Sequence, residues 1–233
     1  MEFLAAFVSY TSAIIGGAFA IFAFINGGLN RRSIFMAIAM GSLATWAASI
    51  AMMYGETDEA AIMRLAVVCY ASTCLATYGL LMMSLSFAKI SNRHFWALSV
   101  VSFVPALCLV VAMLINSETM FLGAEFTETG FLRALLQNPV GYALFGVQIT
   151  AYTALSFAII RWSIKTCTTA AGRKSLRFFF AGGAMVGTFA FTFNLIIPMF
   201  LYDYTLIWVG PIGIIGYAIT SYSAVVKFAQ DEL

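Results

Sequence analysis

The side chains able to make and break bonds are few in this chain, and they are poorly spaced for it. There is one histidine, His94, next to Arg93. A hydrolytic zinc site needs several histidines or carboxylates converging on one ion, so no metal ligand is assigned. The four cysteines are Cys69, Cys74, Cys108 and Cys167. Cys69 and Cys74 stand five apart, which is neither a metal-pair nor a disulfide-framework spacing. Cysteines inside apolar stretches behave as small apolar residues. Retinal chemistry needs a lysine in the middle of the last helix, and the last apolar stretch has only Lys227, at its end. No phosphate loop, activated nucleophile or glycosylation acceptor occurs. The chain is expected to be no enzyme, with no catalytic residue, no cofactor and no affinity for nucleic acid.

What the apolar stretches do carry is uncharged and polar or aromatic. Tyr70, Thr73, Thr77 and Ser84 share one helical face, as do Ser42, Thr45, Trp46 and Ser49. Gln148 and Tyr152 lie four apart. Gly187, Phe191, Asn194 and Pro198 follow one another at helical spacing, and Trp208, Pro211, Tyr217 and Thr220 lie towards the end of the chain. Such hydroxyls commonly bond across packed membrane helices, and pairs such as Gly183 and Gly187 let backbones approach. A primary amide in hydrocarbon is costly unless it is partnered, so Gln148 and Asn194 must face inward. Pro198 has no N–H and frees the Asn194 carbonyl one turn earlier. The candidate ligand-binding residues are Trp46, Tyr70, Thr73, Gln148, Tyr152, Phe191, Asn194 and Trp208, with Pro198 and Pro211 as hinges. The interface position of Trp208 also suits an aromatic anchor. Trp46 is mid-stretch, where anchoring explains nothing.

These residues must be positioned by elements that suit lipid. Of the 233 residues 62% are hydrophobic and 9% charged, and the mean hydropathy is +0.95. Soluble domains carry about 25% charged residues, so a soluble enzyme or DNA-binding module is excluded. About 20 apolar residues cross a bilayer as a helix, and lipid-exposed backbone must satisfy itself internally. Seven stretches qualify: 5–26, 33–54, 61–87, 95–115, 141–160, 176–201 and 205–226. The expected fold is all-α, an integral membrane bundle of seven transmembrane helices forming a single domain over 1–233. The connection 116–140 is long and acidic with interspersed aromatics, and it is expected to fold as an extracytoplasmic cap over the bundle mouth.

Charge orients the bundle. Arg31, Arg32, Lys89, Arg93, Arg161, Lys165, Arg173, Lys174, Arg177 and Lys227 fall on one set of connections. Glu2, Glu56, Asp58, Glu59, Glu118, Glu125, Glu128 and Asp203 fall on the other, with only Arg64 and Arg133 among them. The basic side belongs in the cytoplasm, which puts the N-terminus outside and the C-terminus inside. The basic rim also suits anionic membrane lipids.

Trp46 in the second stretch, the basic patch before the sixth, Asn194 and Pro198 late in the sixth, Gly210, and the run Tyr217-Ala218-Ile219 form an ordered set. In these features the chain resembles the N-terminal seven-transmembrane sensor region of bacterial histidine kinases and related diguanylate cyclases. The resemblance implies a sensory input domain in the bacterial inner membrane, signalling through its last helix to a cytoplasmic output domain. The chain stops at Gln230-Asp231-Glu232-Leu233, where an output linker would begin, so it is expected to be an excised input domain. With no charge inside the bundle, the expected partner is a neutral hydrophobic small molecule or lipid, bound in the outer half. Such receptors act as dimers, so a homodimer is expected, through the first and last helices or the Gly183/Gly187 pair. The alternative is a small carrier or channel for a neutral solute. Many carriers are built from repeats, and no matched pair of Pro-broken segments appears in the two halves of this chain.

Overall fold

The computed structural model describes residues 2–27, 29–88, 90–126, 132–201 and 204–230. Long helices dominate. They are α1 (Glu2–Gly27), α2 (Arg31–Met53), α3 (Glu59–Phe87), α4 (Asn92–Ile115), α5 (Pro139–Thr166) and α6 (Ala170–Phe191). A π-helical turn (Thr192–Ile196) continues α6 into the short α7 (Ile197–Leu201), and α8 spans Ile212–Gln230. Among the described residues, six helices are long and apolar enough to cross a membrane. The chain is thus a multi-pass membrane protein with an all-α bundle.

Local sequence explains where the helices begin. Asn30 Oδ1 accepts from Ser33 N at 2.9 Å and so caps α2. Asp58 accepts from the Ala60 and Ala61 amides to cap α3. Asn138 caps α5 just before Pro139, and Thr169 caps α6. Each cap supplies an oxygen to backbone donors that the first helical turn leaves unpaired.

Several boundaries depart from the hydropathy reading. α5 runs on through Arg161 and Lys165 to Thr166, and α6 begins at Ala170. The basic connection 161–175 therefore shrinks to three residues, because straight-chain basic residues are good helix formers. The seventh stretch does not start as a helix at Thr205. Residues 207–209 form a 3₁₀ turn, and α8 begins only after Pro211. A proline suits the start of a helix and disfavours helix in the residue before it. Its apolar portion, Ile207–Ser221, is shorter than the other six spans.

The connection 116–140 is not plain coil. It holds an antiparallel pair, β1 (Phe121–Phe126) and β2 (Leu132–Gln137). Gly123 is opposite Leu136, and Ala124 is opposite Leu135. The hairpin packs on the end of the bundle formed by the start of α3 and the start of α5. Phe121 is fully buried, its ring 4.9 Å from that of Tyr70, and Glu59 Oε1 accepts from Ala124 N at 3.1 Å. Gly141 is required there, since a Cβ would lie 1.7 Å from the Thr119 carbonyl oxygen.

α3 lies at the centre, with α2, α4 and α5 packed around it, while α8 packs on α6 and α1. Glycines set two of these crossings. A Cβ on Gly79 would lie 2.8 Å from the Ala39 amide nitrogen of α2, and one on Gly213 would lie 2.7 Å from Val186 Cα of α6. One face of α4, with Val100, Val101, Val104 and Leu114, is exposed, as lipid contact requires. At the end opposite the hairpin, Arg31 lies 4.8 Å above the Phe95 ring and bonds Asn92. Glu128, Asp203 and Lys89 lie outside the described residues, as does the side chain of Lys227.

Candidate functional site

A cavity of about 80 Å³ lies between α2, α3, α5, α6 and α8. One water needs roughly 10–15 Å³, so this is more than a packing defect. Along α3 it extends from Cys69 to Leu80, about 16 Å at 1.5 Å per residue. It is therefore elongated and centred near mid-bundle. Among the described residues, no Asp, Glu, Lys, Arg or His lines it.

Of the eight candidate ligand-binding residues, Trp46, Tyr70, Thr73, Phe191 and Asn194 line the cavity. They come from three helices and meet at its hairpin-side end. Trp46 is 3% exposed, and its ring lies beside Gly210. Tyr70 is wedged between hairpin and α5, with its ring 4.8 Å from Phe145 and 5.9 Å from Tyr142.

The structure leaves Gln148, Tyr152 and Trp208 off the cavity wall. Gln148 is 6% exposed, and neither amide atom has a hydrogen-bond partner. It shares a face of α5 with Tyr152, whose hydroxyl donates to the Ser102 carbonyl of α4 at 2.5 Å. Trp208 lies in the 3₁₀ turn before α8, with its indole nitrogen buried and unpartnered. A polar edge held there does not reach an aqueous interface as an anchor would.

The hydroxyls behave differently from the cross-helix bonding expected of them. Thr45 bonds Gly41 O, Thr73 bonds Cys69 O, Thr77 bonds Thr73 O and Ser84 bonds Leu80 O. Each donates to the preceding turn of its own helix. The hydroxyls of Thr73 and Thr77 therefore add little free donor capacity to the cavity. Gly183 and Gly187 also line the cavity, each beside the Phe157 ring.

Asn194 is the most constrained of these residues. It sits inside the π-helical turn, where the Ile197 amide donates to the Thr192 carbonyl. Pro198 follows four residues later. Tyr142 Oη of α5 donates to the Asn194 carbonyl at 3.3 Å, the group left open by the missing proline N–H. The Asn194 Nδ2 is buried with no partner. It lies against Gly210, where a Cβ would be 2.0 Å away.

Sequence reasoning missed Tyr142, Gln137 and Tyr204. Gln137 Nε2 donates to Tyr204 Oη at 2.6 Å, and Tyr70 and Tyr142 complete this cluster. Burial pushes the Tyr204 hydroxyl pKa up from its ordinary value, so it stays neutral. The only signal in the sequence was the position of Tyr142 one turn after the Asn138-Pro139 helix start. Nothing there tied it to Pro198.

The fold and cavity define a multi-pass membrane protein with an uncharged, elongated internal chamber. Compared with known proteins, the chain matches no family model and no curated protein.

Proposed function

We propose that the chain is the seven-transmembrane sensory input domain of a bacterial signalling protein, in the inner membrane with its N-terminus outside. A neutral hydrophobic or lipid-like ligand occupies the cavity, with its recognised end in the outer half. Helix α8 carries the change to a cytoplasmic, kinase-type output domain of the full-length protein, which works as a homodimer. The observation that carries this reading is the uncharged cavity whose wall includes Asn194, set in a π-helical turn and packed on the turn that begins α8.

Two physical arguments support it. Ionised ligands are disfavoured where no countercharge is available. π-helical turns inside α-helices recur at functional sites, and one interrupts the run from α6 to α7 at Asn194. A ligand signals only if it binds one bundle state better than another. Contact at Asn194 is well placed to discriminate, because Gly210 beside it leads directly into α8.

Native mass spectrometry on the detergent-purified chain tests the reading. The expected result is a co-purifying neutral lipid or small molecule that is lost in Ala190→Leu, where the new side chain enters the cavity. Uptake of a neutral solute into liposomes above background would instead favour the carrier or channel.

A further inference from the structure

The Asn194 side chain sets what kind of molecule the cavity accepts. This rests on the cavity being a ligand site. Its wall is almost wholly apolar, and its two helix-three hydroxyls, Thr73 and Thr77, donate to their own backbone. Tyr217 lines the deeper end, and its buried hydroxyl has no hydrogen-bond partner. At the hairpin-side end Asn194 Nδ2 is buried with nothing to bond. An amide donor in this position costs stability until an acceptor arrives.

Geometry orders the rest. Asn194, Trp46 and Tyr70 stand at one end of a chamber about 16 Å long by helix rise. Leu80 and Gly183 line the other end. The final torsion of an asparagine side chain is broad and soft, so Nδ2 can turn from Gly210 towards a cavity oxygen. We infer that the ligand is an uncharged single-chain amphiphile whose head carries a hydrogen-bond acceptor, such as an ester or amide carbonyl, received by Asn194 Nδ2. Its alkyl chain runs towards Leu80. Binding draws the amide off Gly210 and so releases the start of α8.

Quenching of Trp46 fluorescence by brominated probes tests this, in full-length chain carrying Trp96→Phe, Trp162→Phe and Trp208→Phe, held in lipid nanodiscs. The probes are a medium-chain methyl ester brominated at mid-chain, the bromoalkane of the same length and the corresponding sulfonate. The ester is expected to quench saturably, with the bromoalkane and the sulfonate about tenfold weaker, the range one to two buried hydrogen bonds supply. Asn194→Leu is expected to bring the ester down to the bromoalkane. Asn194→Ala, which only removes atoms, serves the same purpose if the leucine variant fails to fold. Equal quenching by ester and bromoalkane, unchanged in the Asn194 variants but lost in Ala190→Leu, would overturn the head-group assignment and leave the ligand cavity standing. Quenching no stronger than in Ala190→Leu for every probe would overturn both.

Discussion

The Tyr142 hydroxyl of α5 donates to the Asn194 backbone carbonyl at 3.3 Å. It thereby replaces the backbone donor that Pro198 lacks, four residues on. A second α5 tyrosine, Tyr152, reaches the Ser102 carbonyl in α4, three residues before Pro105. Two proline-containing helices are thus fastened to one helix by tyrosine hydroxyls. The backbone groups that proline disturbs must find partners, since no water is present in hydrocarbon to supply them.

Tyr142→Phe should lower unfolding stability by about 1 kcal/mol, the usual net worth of one such bond. Restoring the backbone donor with Pro198→Ala should shrink that loss. Thermal unfolding of both single variants and the double variant in detergent measures the coupling. Equal losses in both backgrounds would show that the two groups act independently.

Gly210→Ala should destabilise the bundle by about 1–3 kcal/mol, the ordinary cost of overpacking. The added Cβ would lie 2.0 Å from Asn194 Nδ2 and 3.1 Å from the Trp46 ring. Asn194→Ala should recover part of the loss, because the closest clash disappears. The check is the melting temperature of the two single variants and their combination.

Gln148→Met should leave stability unchanged or raise it by about 1–2 kcal/mol. It removes an amide whose buried atoms have no partner and keeps the side-chain length, so the desolvation penalty falls away. A clear loss of stability in calorimetry would mean that the amide is engaged in the membrane-bound protein.

In a cysteine-free variant, Glu118→Cys should react with a membrane-impermeant maleimide on intact cells. Arg173→Cys should react only after permeabilisation. Both native side chains are exposed, at opposite ends of the bundle. The reverse pattern would invert the proposed orientation.

Much of this architecture could be read before any coordinates. Long apolar stretches separated by charged links specify membrane helices, because lipid tolerates neither open backbone nor unpaired charge. The same logic turns the polar or amphipathic Trp46, Tyr70, Thr73 and Asn194 inward, and all four line the cavity, whereas Gln148, Tyr152 and Trp208 do not. Pro198 pointed to the open Asn194 carbonyl through backbone chemistry alone. Hydropathy could not see the hairpin at 121–137, whose strands are defined by pairing with each other and by Phe121 docking on Tyr70. It also could not separate Gln148 from Asn194. Both are amides at inward positions, and only the rotation of each helix against its neighbours decides which one borders empty space.

The sequence by itself determined a charge-free bundle interior between two oppositely charged ends, because an unpaired ion in hydrocarbon is so costly that the apolar stretches carry none at their centres. The tertiary structure alone decided that Tyr142 finds Asn194, and that Gly210 makes room for its amide. Those are contacts between residues 52 and 16 positions apart, and their existence depends on how the helices cross, which no local pattern encodes.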